Sequence, residues 1–180
     1  MTYREISRVL QQAGIENARD EARLLLSHFC GVTPAQLPFR MNENFENEGL
    51  SDAVMRRQAH EPLQYLLGEW DFMGRTFSVG DGVLIPRPET EELVRLVAGG
   101  AVLATADMAD SAEKNSALRV LDICTGSGCI AYSVASELGN DAQVWGCDIS
   151  DTALEIAGGL GTSLYEVLRH AEDYPVLSRA

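Results

Sequence analysis

Apolar residues recur at helical spacing through residues 1–62 and then switch to strict alternation, so the chain changes architecture at that point. Thr2 and Glu5 stand at capping-box spacing ahead of the stripe Ile6, Val9 and Leu10, and Gly14 stops the helix. A second helix is predicted from Asn17, with Ala18, Ala22, Leu25, Leu26 and Phe29 on one face and Gly31 as its end signal. Thr33 and Pro34 suit the N-cap and first helical position of a short turn, and residues 51–59 predict a further helix closed by Glu61-Pro62. None of these helices carries clustered catalytic side chains, so recognition or support is their expected task.

The pattern then turns to period two. Trp70 and Phe72 alternate, Phe77 and Val79 alternate, and Met73-Gly74 lies between them, which predicts a β-hairpin. Pro86 and Pro88 hold Arg87 extended, and Glu89, Glu91 and Glu92 load the first turn of the next helix with negative charge. Taken as composition alone, that stretch is a rigid turn followed by helix-start acids. Residues 105–117, rich in Ala, Asp and Ser, read as a loose loop. Two strands are predicted near residues 118–124 and 144–149, and residues 162–172 fit a helix with Leu164, Val167, Leu168 and Ala171 on one stripe. The fold class is α/β: a helical bundle, a hairpin, then an incomplete Rossmann-like domain.

Composition narrows the picture. An apolar content of 46% and a charged content of 23% are those of a globular chain, and 180 residues hold one ordinary domain or one small and one incomplete domain. No stretch approaches the ~20 apolar residues of a membrane span, and the first residues lack a signal-peptide core, so a cytoplasmic protein is expected. Cys30, Cys124, Cys129 and Cys147 show no metal-ligand spacing, and His28, His60 and His170 are scattered, so no metal is expected. With 27 acids against 14 bases, the net charge of −13 argues against direct contact with a nucleic-acid backbone.

The chemistry concentrates in V-L-D-I-C-T-G-S-G-C-I-A, residues 120–131, a β-branched run that ends in a small-residue turn and opens a helix. Such a turn makes room for a nucleotide at the carboxyl edge of a sheet. Gly126 to Ala131 also fits the G-x-G-x-x-A dinucleotide pattern, with Asp148, 20 residues after Gly128, where a ribose ligand is expected, so a nicotinamide-dependent oxidoreductase stands as one alternative. Asp122 weighs against it. A pyrophosphate wants N–H groups and positive dipole rather than a neighbouring anion, whereas S-adenosylmethionine carries a sulfonium and an ammonium that a carboxylate suits. The plainer alternative is that Asp122 only caps the turn.

Three motifs in order, Q-Y-L-L-G-E-W-D-F at 64–72, V-L-I-P-R-P-E-T-E-E-L at 83–93 and L-D-I-C-T-G-S-G-C-I-A at 121–131, resemble the HemK-type peptide chain release factor glutamine N5-methyltransferases. The resemblance covers residues 1–157 and favours the release-factor branch, because the related enzyme acting on a ribosomal protein usually varies P-R-P-E-T-E. It implies a seven-stranded S-adenosylmethionine-dependent methyltransferase fold behind a small helical domain. It further implies that Cys124, Thr125, Gly126, Ser127 and Gly128 form the cofactor turn, with Asp148 on the ribose hydroxyls, beside the Asp122 contact read above from charge. Many relatives have Gly where Cys124 stands. The implied partners are peptide chain release factors, with no nucleic acid, no membrane and a monomeric chain expected.

The family's catalytic signature is Asn-Pro-Pro-Tyr, whose side-chain and backbone acceptors orient the substrate amide toward the methyl group. Here the six prolines follow Thr33, Leu37, Glu61, Ile85, Arg87 and Tyr174, so no catalytic residue is assigned. The expected organisation is a helical N-terminal domain at 1–62, a hairpin linker at 63–82, a partial methyltransferase domain at 83–157 and a tail of unassigned role at 158–180. A truncated, deleted or frame-shifted product that binds cofactor or partner without transferring methyl is therefore the alternative to the enzyme itself.

Overall fold

A computed structural model describes residues 1–107, 118–139, 142–158 and 167–168, and the chain divides into two compact units, Met1–Gly68 and Glu69–Ala180. The first unit is helical throughout. Helix α1 (Tyr3–Gln12) opens on the capping box: Thr2 Oγ1 accepts from the Glu5 amide at 3.2 Å and Glu5 Oε2 accepts from the Thr2 amide at 2.8 Å. Helix α2 (Ala18–Cys30) ends on Gly31 at φ 64°, where the left-handed backbone costs glycine nothing. Helices α3 (Leu37–Arg40), α4 (Glu48–Gln58) and α5 (Leu63–Leu67) complete the unit.

Its core gathers Ile6 and Leu10 of α1, Ala22, Leu25 and Leu26 of α2, Leu50, Ala53 and Val54 of α4, and Leu63 and Leu66 of α5. The Arg57 guanidinium grips Glu21 with Nε at 2.6 Å and Nη2 at 3.2 Å, tying α4 to α2 where both side chains are half-buried. Charge-assisted forks of this kind hold an orientation as well as adding energy.

The short turn expected at Thr33-Pro34 is present, with Thr33 and Gln36 bonding each other reciprocally, and helix α3 starts directly after it at Leu37. Two expectations for this unit change. The helix expected at 51–59 begins three residues earlier, at Glu48, because Asn47 Oδ1 accepts from the Leu50 amide at 3.0 Å and so caps it there. Residues 63–67, expected in the linker, form α5, whose i, i+3 pair Leu63 and Leu66 is buried in the helical core.

The second unit starts with the hairpin β1 (Glu69–Phe72) and β2 (Arg75–Ser78), which turns at Met73 and Gly74 with φ of 52° and 68°. It is not a linker, since Phe72 and Phe77 are buried in the same cluster as Val94, Val134, Leu138 and Val144. Phe77 lies between Phe72 and Tyr132, edge to face with ring centroids at 6.1 and 5.7 Å. Helix α6 (Thr90–Asp107) follows the Pro86-Arg87-Pro88 stretch, so residues 105–107 are helical rather than loop, and 108–117 lie outside the described residues.

Strand β3 (Leu118–Ile123), helix α7 (Cys129–Leu138) and strand β4 (Ala142–Cys147) form a parallel β-α-β unit, with Leu118 opposite Ala142 and Ile123 opposite Cys147. Helix α8 (Asp151–Gly158) follows β4. A third strand, β5 (Val167–Leu168), pairs parallel with β4 at Gly146 and Cys147. Those two residues were expected in a helix over 162–172, and the rest of that segment lies outside the described residues. The described sheet therefore has the order β3-β4-β5, part of a Rossmann-like arrangement.

Candidate functional site

Each strand of the β-α-β unit ends in a carboxylate: Asp122 near the end of β3 and Asp148 just past β4. Between them runs the turn 124–128. Thr125 is its anchor, with its amide donating to the Cys147 carbonyl at 2.9 Å, its carbonyl accepting from the Gly128 amide at 2.9 Å, and its hydroxyl donating to Asp122 Oδ2 at 2.7 Å. The side chain is buried and lies over Gly146, where an added Cβ would come within 2.8 Å of Thr125 Oγ1. Gly146 thus exists for this contact, and a glycine inside a strand pattern is the signal that could have marked it.

Asp122 Oδ2 also accepts from the Ala131 amide at 3.2 Å, an otherwise unmet donor in the first turn of α7, whose N-cap Gly128 has no side chain to supply. Capping is therefore one function of Asp122. It occupies only Oδ2, and Oδ1 takes no hydrogen bond among the described residues. Burial pushes the Asp122 carboxyl up, the bonds from Thr125 and Ala131 pull it back, and the neighbouring Asp148 charge pushes it up further.

Asp148 closes the other side. Its Oδ2 accepts from the Gly126 amide at 2.9 Å and its Oδ1 from the Ser150 amide at 3.0 Å, an Asx turn that sequence reasoning passed over although D-x-S spells it. Both oxygens keep lone pairs for further donors. Ser150 then caps α8 by accepting from the Ala153 amide at 3.3 Å, and Ile149 between them is 99% exposed. Val83 was not singled out as a site residue either, yet a Cβ at Gly126 would stand 3.8 Å from its methyl group.

Among the predicted residues, Asp122, Thr125, Gly126, Gly128 and Asp148 are linked by hydrogen bonds around one turn. Ser127 is buried, while Cys124 is exposed and holds φ 63°, a left-handed conformation that a side chain rarely adopts. Two carboxylates beside a tight turn form a cradle that attracts a cation and repels a pyrophosphate. Among the described residues no group of His, Cys, Asp or Glu is arranged to hold a metal ion, and no helix is long and apolar enough to cross a membrane.

A helical unit followed by a parallel β-α-β unit with this acid-flanked turn is the plan of a methyltransferase, and residues 114–164 match a family described as a methyltransferase domain. Residues 2–68 match the PrmC N-terminal domain. The release factor glutamine methyltransferase of Bacteroides thetaiotaomicron is 47% identical over 108 residues, covering 60% of this chain and 34% of that protein. Its counterpart in Moorella thermoacetica is 38% identical over 156 residues, 85% of this chain and 51% of that protein. A bifunctional methyltransferase of Rickettsia prowazekii is 36% identical over 158 residues, 82% of this chain and 30% of that protein. The chain belongs to the HemK-type family of release factor glutamine methyltransferases, and it spans half or less of the length of most of the curated relatives it matches.

Proposed function

We propose that this chain binds S-adenosylmethionine at the 124–128 turn, and that the reaction it belongs to is methylation of a glutamine N5 amide in a peptide chain release factor. The observation that carries the proposal is the pair of carboxylates, Asp122 and Asp148, set on either side of one glycine turn. Similarity to release factor glutamine methyltransferases over most of the chain supports the choice of acceptor. The cofactor supplies an electrophilic methyl group on a sulfonium. Asp122 Oδ1 is the acceptor left for positive charge, Asp148 is the acceptor for ribose hydroxyls, and the Gly126 and Gly128 backbones give close approach without a Cβ. Thr125 and Ser127, being buried, position that backbone rather than offering side chains. A cytoplasmic chain that engages neither membrane nor nucleic acid fits the charge of −13.

A nicotinamide dinucleotide is disfavoured by Asp122, whose carboxylate lies beside the turn that a pyrophosphate would occupy, while Asp148 suits the ribose of either cofactor. A second reading, cofactor or partner binding without transfer, is favoured by the fact that no Asn-Pro pair occurs in the 180 residues to hold the substrate amide. Loss of a positioned hydrogen-bonding group typically costs at least ~100-fold in rate.

Calorimetry with S-adenosylmethionine and with NAD separates the cofactors, and Asp148→Ala is expected to weaken adenosylmethionine binding by about 1.5 to 3 kcal/mol. Tighter binding of NAD, or unchanged affinity in the variant, would remove the cofactor assignment. Methyl-labelled cofactor with a release factor, run beside a longer relative, separates transfer from binding. Label arriving at least ~100-fold more slowly than with the relative supports the second reading for these 180 residues.

A further inference from the structure

The helical unit carries a second concave site, far from the turn in sequence and built on opposite chemistry. Along α1, Arg4, Ser7, Arg8 and Gln11 fall at i, i+3, i+4 and i+7, a polar stripe turned away from the buried Ile6 and Leu10. With Tyr3, Arg19 and Met41 they line a cavity of about 460 Å³, within the range that ordinary small ligands occupy. Tyr3 Oη donates to the Arg19 carbonyl at 3.3 Å, which holds the first turn of α2 beside α1 and brings the third guanidinium to the same place.

The distribution of arginines carries the inference. Residues 1–68 contain seven. Arg23 pairs with Asp20, Arg40 with Glu43, Arg56 with Asp52 and Glu61, and Arg57 with Glu21. The three that form no salt bridge among the described residues are Arg4, Arg8 and Arg19, Arg8 being only weakly attracted by the exposed Glu5, and all three line this cavity, whose lining holds no acid. Glu5, the acid nearest in sequence, is committed to the Thr2 amide. Like charges at i, i+4 on a helix are destabilising, so this arrangement gains nothing for the fold by itself.

We propose that the cavity is a binding site for a compact multivalent oxyanion, with two or more phosphate or clustered carboxylate groups received by the Arg4, Arg8 and Arg19 guanidiniums. Planar guanidinium forks match both groups and remain charged at any physiological pH. Compactness follows from charge. A long polyanion such as a nucleic-acid strand would extend past the cavity along a chain of net charge −13, whereas a small one is held within it. The proposal does not depend on methyl transfer or on the 124–128 turn.

Titration of the full chain with pyrophosphate, and separately with a hexaglutamate peptide, at low ionic strength tests it and distinguishes a phosphate from a carboxylate source. Saturable one-to-one binding of at least one probe is expected. Arg8→Gln should weaken it about tenfold, and the triple change Arg4→Gln, Arg8→Gln, Arg19→Gln should abolish it. Arg56→Gln, which removes an arginine outside the cavity, should leave it unchanged. Because the three arginines are exposed and form no salt bridge among the described residues, the far-ultraviolet circular dichroism of the triple variant should match the parent and its melting should be no lower. Failure of both probes to bind, or binding that survives the triple change or falls equally with Arg56→Gln, overturns the proposal.

Discussion

Cys124 sits at φ 63° with its thiol exposed, so its side chain contributes little packing while its backbone occupies a region that disfavours any Cβ. Cys124→Gly is therefore expected to stabilise the second unit by about 1 kcal/mol, read as a rise in the denaturant midpoint at constant slope. An unchanged or lower midpoint would mean that the thiol makes up for the strain. Asp122 gives a pH-dependent case. Its carboxyl is raised by burial, so its contribution to stability is greatest in acid, where it is protonated, and is lost as pH rises through its folded-state value. Asp122→Asn stays neutral and keeps an amide oxygen for the Thr125 and Ala131 donors. The stability of the variant relative to the parent is accordingly expected to grow from acid to neutral pH. A difference that stays flat across that interval would show that the carboxyl is not raised.

At the scale of elements, α1 and α2 send fully buried Ile6, Leu10, Leu25 and Leu26 into their core, whereas β3 has no fully buried residue and leaves Ile123 53% exposed. Helix α6 likewise buries Val94 but leaves Leu93 48% and Leu96 64% exposed. Less apolar burial offsets less of the ordering entropy. Amides of β3 are therefore expected to exchange faster than those of α1 and α2 in native-state hydrogen exchange, and equal protection would contradict it. The elements also differ in how legible they are. The capping box of α1 and the Gly31 stop of α2 are local signals and lie where the sequence puts them. Helix α4 hides its start, because Gly49 interrupts the stripe in its first turn, and α5 is too short for periodicity to register although Gly68 ends it at φ 72°.

For the whole molecule, two separate hydrophobic clusters correspond to the two units, and charge is divided unevenly: residues 1–68 hold seven arginines against nine acids, leaving most of the net −13 to the remainder. A unit with its own core is able to fold alone. Residues 1–68 expressed by themselves are expected to give a helical circular dichroism spectrum and a cooperative melt, checked by whether both survive dilution. A non-cooperative, sloping melt would mean that the helical core depends on the rest of the chain.

The sequence by itself determined the helical character of the first unit, the hairpin, the glycine turn between two strands and the two acids beside it, since caps, turns and hydrophobic period act over only a few residues. It did not determine what each of these meets. Asp148 reaches the Gly126 amide and Thr125 reaches the Cys147 carbonyl across 22 residues, Gly146 is shaped by the Thr125 side chain, and Arg19 joins Arg4 and Arg8 only because α2 lies against α1. The pairing of Val167 and Leu168 with β4, where their stripe suggested a helix, is a choice of the same kind. Periodicity fixes which face of an element is apolar, while the partner of that face, and the polar groups brought together when it is covered, are decided only by tertiary packing.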